Sequence, residues 1–188
     1  MTGNHIPLKE RNIVLTGFMG VGKTTVGQLI ADRLYRDFID VDQEIERRHG
    51  MTIPEIFKRF GEPKFREMER ECIADLCNNT RLKVISLGGG AFMQEEVRKV
   101  CLATSIVFFL DLSWDSWKDR IHLIMDNRPV LQQKSLEEIE QLFIARQKAY
   151  SINHSTVPTD QLNPSEVADH IISTLKLGYE IYEPSYWK

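Results

Sequence analysis

Residues 17–24 read Gly-Phe-Met-Gly-Val-Gly-Lys-Thr, and this octet decides the fold. It matches G-x-x-x-x-G-K-[ST], the phosphate-binding loop. The flanks suit the motif. Residues 12–16 (NIVLT) predict a short buried strand, and Val26, Leu29, Ile30 and Leu34 fall at the spacing of a helix's apolar stripe. The chemistry follows from the residue types. Glycines let the backbone curl its N–H groups inward, and the helix N-terminus adds partial positive charge. The Lys23 ammonium reaches the β- and γ-phosphates of a nucleotide, and the Thr24 hydroxyl ligates Mg²⁺. Gly20, Val21, Gly22 and Thr25 complete the loop. The alternative is a glycine-rich turn that binds nothing, and the strand and helix on either side weigh against it.

Outward from the loop, the chain alternates strand and helix. Further strands are predicted at 38–41 (FIDV), 84–87 (VISL), 106–110 (IVFFL) and 156–158. Helices are predicted at 43–48, from Ile53, at 67–76, 94–102, 113–124, 136–150 and 165–177, with Gly178 stopping the last. Ser135 and Glu138 form a capping box before 136–150. The alternation implies an α/β fold with a central five-stranded parallel sheet and helices on both faces. Ligands bind such sheets beyond the carboxyl ends of the strands.

Bulk properties bound the rest. The chain has 188 residues and a net charge of −3, enough for one domain and without a basic field for nucleic acid or membranes. No apolar run is long enough to cross a bilayer, and no leader-like segment is seen. A cytoplasmic location is expected. Three cysteines without C-x-x-C spacing predict free thiols.

Several constellations sit where a ligand would bind. Asp40 and Asp42 are two apart at a strand end, and a period of two puts both on one face. They would hold Mg²⁺ or accept a proton; helix capping is the competing role. Arg66 and Glu69 are spaced i, i+3. Either they form a surface ion pair, or Glu69 holds Arg66 ready for an anionic acceptor. Gly88, Gly89 and Gly90 follow a strand directly and would let a ligand approach the backbone closely. Arg128, and with it Arg120, flanks a polar loop of the kind that supplies cations to a transferring phosphoryl group. Arg146 lies on an otherwise apolar helix face and needs a carboxylate or a bound anion. Asp111-Leu112-Ser113 after IVFFL reads as a turn and cap rather than a second nucleotide motif.

Taken together, GFMGVGKTTVG, FIDVD, IPEIFKRFGEPKFREMER, SLGGGAF, NRPVL and a late Arg-x-x-x-Tyr (Arg146, Tyr150) resemble the shikimate kinase family in order and spacing, from about residue 12 to about residue 177. The resemblance implies a three-layer P-loop kinase fold related to nucleoside monophosphate kinases. It implies one domain over 1–188, with a small helical acceptor-binding insertion at about 43–74 and a lid at about 122–135. The implied reaction moves the ATP γ-phosphate to the 3-hydroxyl of shikimate, in aromatic amino acid biosynthesis.

The resemblance also distributes roles. Lys23, Asp42 and Arg128 would be catalytic. Residues 20–25 with Arg120 and Arg128 would bind ATP, Arg120 against the adenine. Asp42, Arg66, Gly88, Gly89, Gly90 and Arg146 would bind shikimate. Thr24 and Asp40 would hold Mg²⁺. A monomer is expected, without nucleic-acid or membrane partners.

The stretch after Tyr150 departs from the family pattern. The tail 178–188 adds Tyr179, Tyr182, Tyr186 and Trp187, which either pack on their own domain or dock a partner. Two other functions stay open on the residues alone. One is a kinase for another small hydroxy acid, such as gluconate. The other is a regulatory module that binds nucleotide without turnover.

Overall fold

Strand β1, Asn12–Thr16, is buried at all five positions. An apolar run of this kind survives only when both faces of the strand are covered. Ile13, Val14 and Leu15 are fully shielded, each contributing about 1.5–3 kcal/mol. The computed structural model describes residues 6–119 and 134–182.

After β1 come α1 (Lys23–Leu34), β2 (Asp37–Asp40), α2 (Val41–His49), α3 (Ile53–Asn79) and β3 (Lys83–Ser86). Then follow α4 (Glu95–Thr104), β4 (Ser105–Asp111), α5 (Trp114–Lys118), α6 (Leu136–Tyr150), β5 (Ser155–Pro158) and α7 (Pro164–Tyr182). The five strands form one sheet in the order β2-β3-β1-β4-β5. Every pairing is parallel: Ile13 lies opposite Val84 on one side and Ile106 on the other. Right-handed crossovers then put α1 and α7, which pack together, on one face and α3 and α4 on the other. The expected three-layer fold is borne out.

The order creates the site. From β1 the chain leaves toward β2, and from the neighbouring β3 it leaves in the opposite direction toward β4. The two exits open a crevice beyond the carboxyl ends of β1 and β3. The phosphate loop follows β1, and Gly88–Gly90 follow β3.

Local chemistry sets most element ends. Asp40 caps α2: its Oδ1 accepts from the Asp42 and Gln43 N–H groups at 3.1 and 3.4 Å. Thr52 with Glu55, and Ser135 with Glu138, form complete capping boxes on α3 and α6. Helix α1 differs, having Gly22 at its N-cap and no side-chain cap. Its first-turn donors are therefore left to water or a ligand.

Two expectations are corrected and two hold. Asp42 is not on a strand: the Asp40 cap turns the chain into α2 at Val41, so the period-two argument fails. The helix predicted from Ile53 does continue through 67–76, as expected, with a kink where Gly61 takes φ 80°, ψ 169°. Gly178 does not stop α7, which runs on to Tyr182. The cap expected within Asp111-Leu112-Ser113 is present: Asp111 ends β4, and Ser113 caps α5.

The three cysteines are free and buried, and among the described residues no helix is long and apolar enough to cross a membrane.

Gly17 opens the loop with φ 143°, and a Cβ there would lie 2.7 Å from the Leu110 carbonyl oxygen. Backbone cannot step aside as a side chain can. Gly17→Ala is expected to cost about 3 kcal/mol, lowering Tm by roughly 10 °C in a scanning calorimeter.

Candidate active site

The crevice holds a cavity of about 170 Å³. Its walls are Met19, Gly20, Gly22, Lys23 and Thr24 from the loop, Asp40 and Asp42 from the β2–α2 junction, and Ser86–Gly89 from the end of β3. Sequence positions far apart thus meet on one surface.

The Lys23 side chain is buried and curls over its own loop. Its ammonium donates to the Gly17 and Phe18 carbonyls, both at 2.8 Å. The loop is braced from behind: the Trp117 indole N–H donates to Met19 O at 2.8 Å, and Phe18 packs edge-on against Trp117 and Phe143. Beside Lys23, the Thr24 hydroxyl donates to Asp40 Oδ2 at 3.0 Å. Asp40 therefore does two jobs, one oxygen capping α2 and the other facing Thr24. Capping and ligand binding are not exclusive here.

Across the crevice, Arg66 is wedged against Gly90, where a Cβ would lie 2.6 Å from its Nη2. Its Nη1 donates to Glu69 Oε2 at 2.8 Å, and Nε and Nη2 share Glu62 Oε1 at 3.2 and 3.0 Å. Glu62 is largely solvated, whereas Glu69 is completely buried. Gln94 also donates to Glu69 Oε2, at 2.9 Å. Glu69 Oε1 has no hydrogen-bond partner among the described residues. That oxygen and Asp42 Oδ1 would lie 3.0 and 2.9 Å from a Cβ on Gly88.

Burial pushes the Glu69 carboxyl up to about 7, against the opposing pull of Arg66, and the Asp42 charge adds to the rise. The folded state thus holds this proton more tightly than the unfolded chain, whose value is near 4.5. The stability this contributes is full below about pH 4.5 and is lost as pH rises through about 7. Glu69→Gln should flatten the fall of Tm between those pH values. An unchanged Tm–pH slope in the variant contradicts the assignment.

Arg146 reaches the same edge from α6. It is nine-tenths buried, donates Nη1 to Gly89 O at 3.0 Å, and lies 5.5 Å over the Phe18 ring. No carboxylate pairs with it among the described residues, and its Nε has no partner there. The Tyr150 hydroxyl donates to the same Gly89 oxygen. Burial pushes that phenol up to about 12, so it stays a neutral donor. Two guanidinium groups thus border consecutive glycines, next to an uncapped helix N-terminus.

Comparison with known proteins assigns the family. The shikimate kinase family profile matches residues 19–176. A shikimate kinase of Geobacillus thermodenitrificans is 63% identical over 181 residues, covering 96% of each chain. The chain belongs to the shikimate kinase family. The solved shikimate kinase of Acinetobacter baumannii in complex with shikimate superposes with a TM-score of 0.82 at 35% identity, over 89% of this chain and 94% of that one. A gluconokinase of Sinorhizobium meliloti shares the fold alone, with a TM-score of 0.58 at 16% identity over 94% of this chain and 98% of that one.

For this family member, the structure brings together Gly20–Thr24, Asp40, Asp42, Arg66, Gly88–Gly90 and Arg146. Thr25 follows in the first turn of α1. Arg120, Arg128 and residues 122–133 of the expected lid lie outside the described residues. Sequence reasoning gave no role to Gln94 or Trp117. Nothing in the sequence marks Gln94, since its work is to hold a carboxylate that folding buries. Tyr150 carried a signal, being one helical turn from Arg146 on the same face.

Proposed function

We infer that the chain is an ATP-dependent kinase that transfers the γ-phosphate of ATP to the 3-hydroxyl of shikimate. Family membership over nearly the whole chain supports this reading. The observation that carries the site assignment is the pair of guanidinium groups, Arg66 and Arg146, on the Gly89–Gly90 edge beside the phosphate loop. One compact carboxylate between them would satisfy the Arg146 Nε and occupy the fork of Arg66.

The mechanism is in-line transfer, with catalysis by positioning and charge. We assign the open N-terminus of α1 and the Lys23 ammonium to the triphosphate. Arg66 and Arg146 fix the acceptor by its carboxylate, and Gly88–Gly90 let its ring lie against backbone. Asp42, facing Gly88, holds the acceptor hydroxyls and takes the proton as the oxygen attacks. Arg128 and Arg120, from residues outside those described, are assigned to the transferring phosphoryl group and to adenine.

Thr24 and Asp40 are hard oxygen donors in contact at 3.0 Å, and they fit Mg²⁺. Among the described residues no cluster of three His, Cys, Asp or Glu side chains could hold a metal. That suits an ion which takes few protein ligands and completes its shell from phosphates and water. When bound, Mg²⁺ supplies charge neutralisation on the phosphates.

Product analysis tests the reading. Phosphorus NMR of chain, ATP, Mg²⁺ and shikimate should show one new phosphomonoester at the expense of the γ-phosphate. Chelating Mg²⁺ should stop it, and adding Mg²⁺ back should restore it. Release of inorganic phosphate alone sinks the proposal.

A further inference from the structure

The buried Glu69 carboxylate is gripped from two helices. Its Oε2 accepts from Arg66 Nη1 on α3 at 2.8 Å and from Gln94 Nε2, at the N-cap of α4, at 2.9 Å. Gln94 in turn accepts at Oε1 from Arg70 Nη1 at 3.2 Å. The chain of contacts therefore runs Arg70, Gln94, Glu69, Arg66, leaving α3 and returning to it through α4.

Residue chemistry fixes which way each group points. A guanidinium only donates, so Arg70 draws the Gln94 oxygen and the amide N–H groups are left to face Glu69. The last torsion of a glutamate side chain is soft, and a single donor on Oε2 would let the carboxylate swing. Two donors, on helices that pack together, pin it. Pinning Oε2 sets where Arg66 Nη1 must lie. It also turns Oε1 toward Gly88, where a Cβ would be 3.0 Å away.

Charge works in the same direction. Within electrostatic reach of the Glu69 carboxyl are Arg66 on its own helix, which also holds Glu62, Asp42 on α2 and Tyr150 on α6. Burial is the largest influence and favours the neutral acid, and the Asp42 charge adds to it. Arg66 and the Gln94 hydrogen bond oppose both. A protonated Glu69 would no longer balance the Arg66 charge.

We propose, on the acceptor role assigned to Arg66 above, that Gln94, oriented by Arg70, is a positioning residue. It keeps Glu69 turned toward Arg66 and so presents the guanidinium fork to the acceptor carboxylate.

Gln94→Leu removes both hydrogen bonds at similar volume. The KM for shikimate should rise roughly tenfold, the effect of losing one buried hydrogen bond to a charge, while kcat moves little. Arg70→Leu, which frees the amide to turn, should raise KM by a smaller factor, and Arg70→Lys should restore it. The acid limb of kcat/KM against pH should shift to higher pH in Gln94→Leu, because the ionised carboxylate has lost a donor. A merely structural Gln94 would lower Tm without moving that limb. In a Glu69→Ala background, adding Gln94→Leu should leave KM where Glu69→Ala alone put it. An equal rise of KM in both backgrounds overturns the proposal, and so does an unmoved acid limb. Arg66→Ala is the companion measurement. A normal KM there removes the acceptor reading and this role of Gln94 with it. A raised KM there, with a normal KM in Gln94→Leu, overturns the role of Gln94 alone.

Discussion

Lys23→Ala should lower kcat by about 10³-fold, equivalent to roughly 4 kcal/mol of transition-state stabilisation. Lys23 is the first residue of α1, on a helix whose N-terminus carries no capping side chain, and its ammonium is clasped by two loop carbonyls at 2.8 Å. Those contacts hold a nearly buried charge at the wall of the cavity. Charge that develops on a transferring phosphoryl group is stabilised best by a cation already in place, because nothing reorganises during the step. The substitution also leaves the Gly17 and Phe18 carbonyls without this donor, at a cost of about 1–3 kcal/mol in stability. The check is therefore two measurements: steady-state turnover, and Tm to show that the variant is folded. A folded Lys23→Ala protein with near-normal kcat removes the lysine from the reaction. Lys23→Arg is not a rescue, since the planar fork is larger and the clasp is built around a point donor.

Arg66→Ala should raise the KM for shikimate by about 10²-fold while kcat changes little. A buried, hydrogen-bonded charge whose partner is truncated typically costs about 2–5 kcal/mol. Part of that cost is the stranded partner. Glu69 is completely buried and would keep only Gln94 as a donor. The control is Glu62→Ala. Glu62 contacts the same guanidinium, but its side chain is 62% exposed, so the pair is screened and worth under about 1 kcal/mol. A loss at Arg66 with near silence at Glu62 separates acceptor binding from helix-surface pairing. If Arg66→Ala leaves acceptor KM unchanged, the carboxylate assignment fails. A fall in kcat with KM unchanged would instead move Arg66 to the transition state.

The legible parts of this chain share a cause: the signal was local. The octet 17–24 sits between a continuous apolar run and a helical stripe, and neither depends on distant residues. Helix α6 begins at Leu136 as expected because Ser135 and Glu138 close a capping box within four residues. That Arg146 needs either a carboxylate or a bound anion was readable from one charge on an apolar face, and the structure leaves its Nε without a partner among the described residues.

What was not legible depends on long-range packing. Asp42 looked like a strand residue because alternation cannot show that a cap at Asp40 ends the strand. Gly178 looked like a helix stop, but a glycine ends a helix only where the chain turns left-handed. Here α7 carries its apolar face past it to Tyr179, which packs on the core. The Glu69–Gln94 contact joins residues 25 apart in sequence, and it exists only because α3 and α4 meet on one face.

Shikimate-dependent phosphoryl transfer is tested most directly by a coupled ADP-release assay with ATP and Mg²⁺, comparing shikimate, quinate, gluconate and no acceptor. Strong turnover is expected with shikimate, and near-background rates with the other acceptors and with none. ADP release that is independent of shikimate, or faster with gluconate, would contradict it.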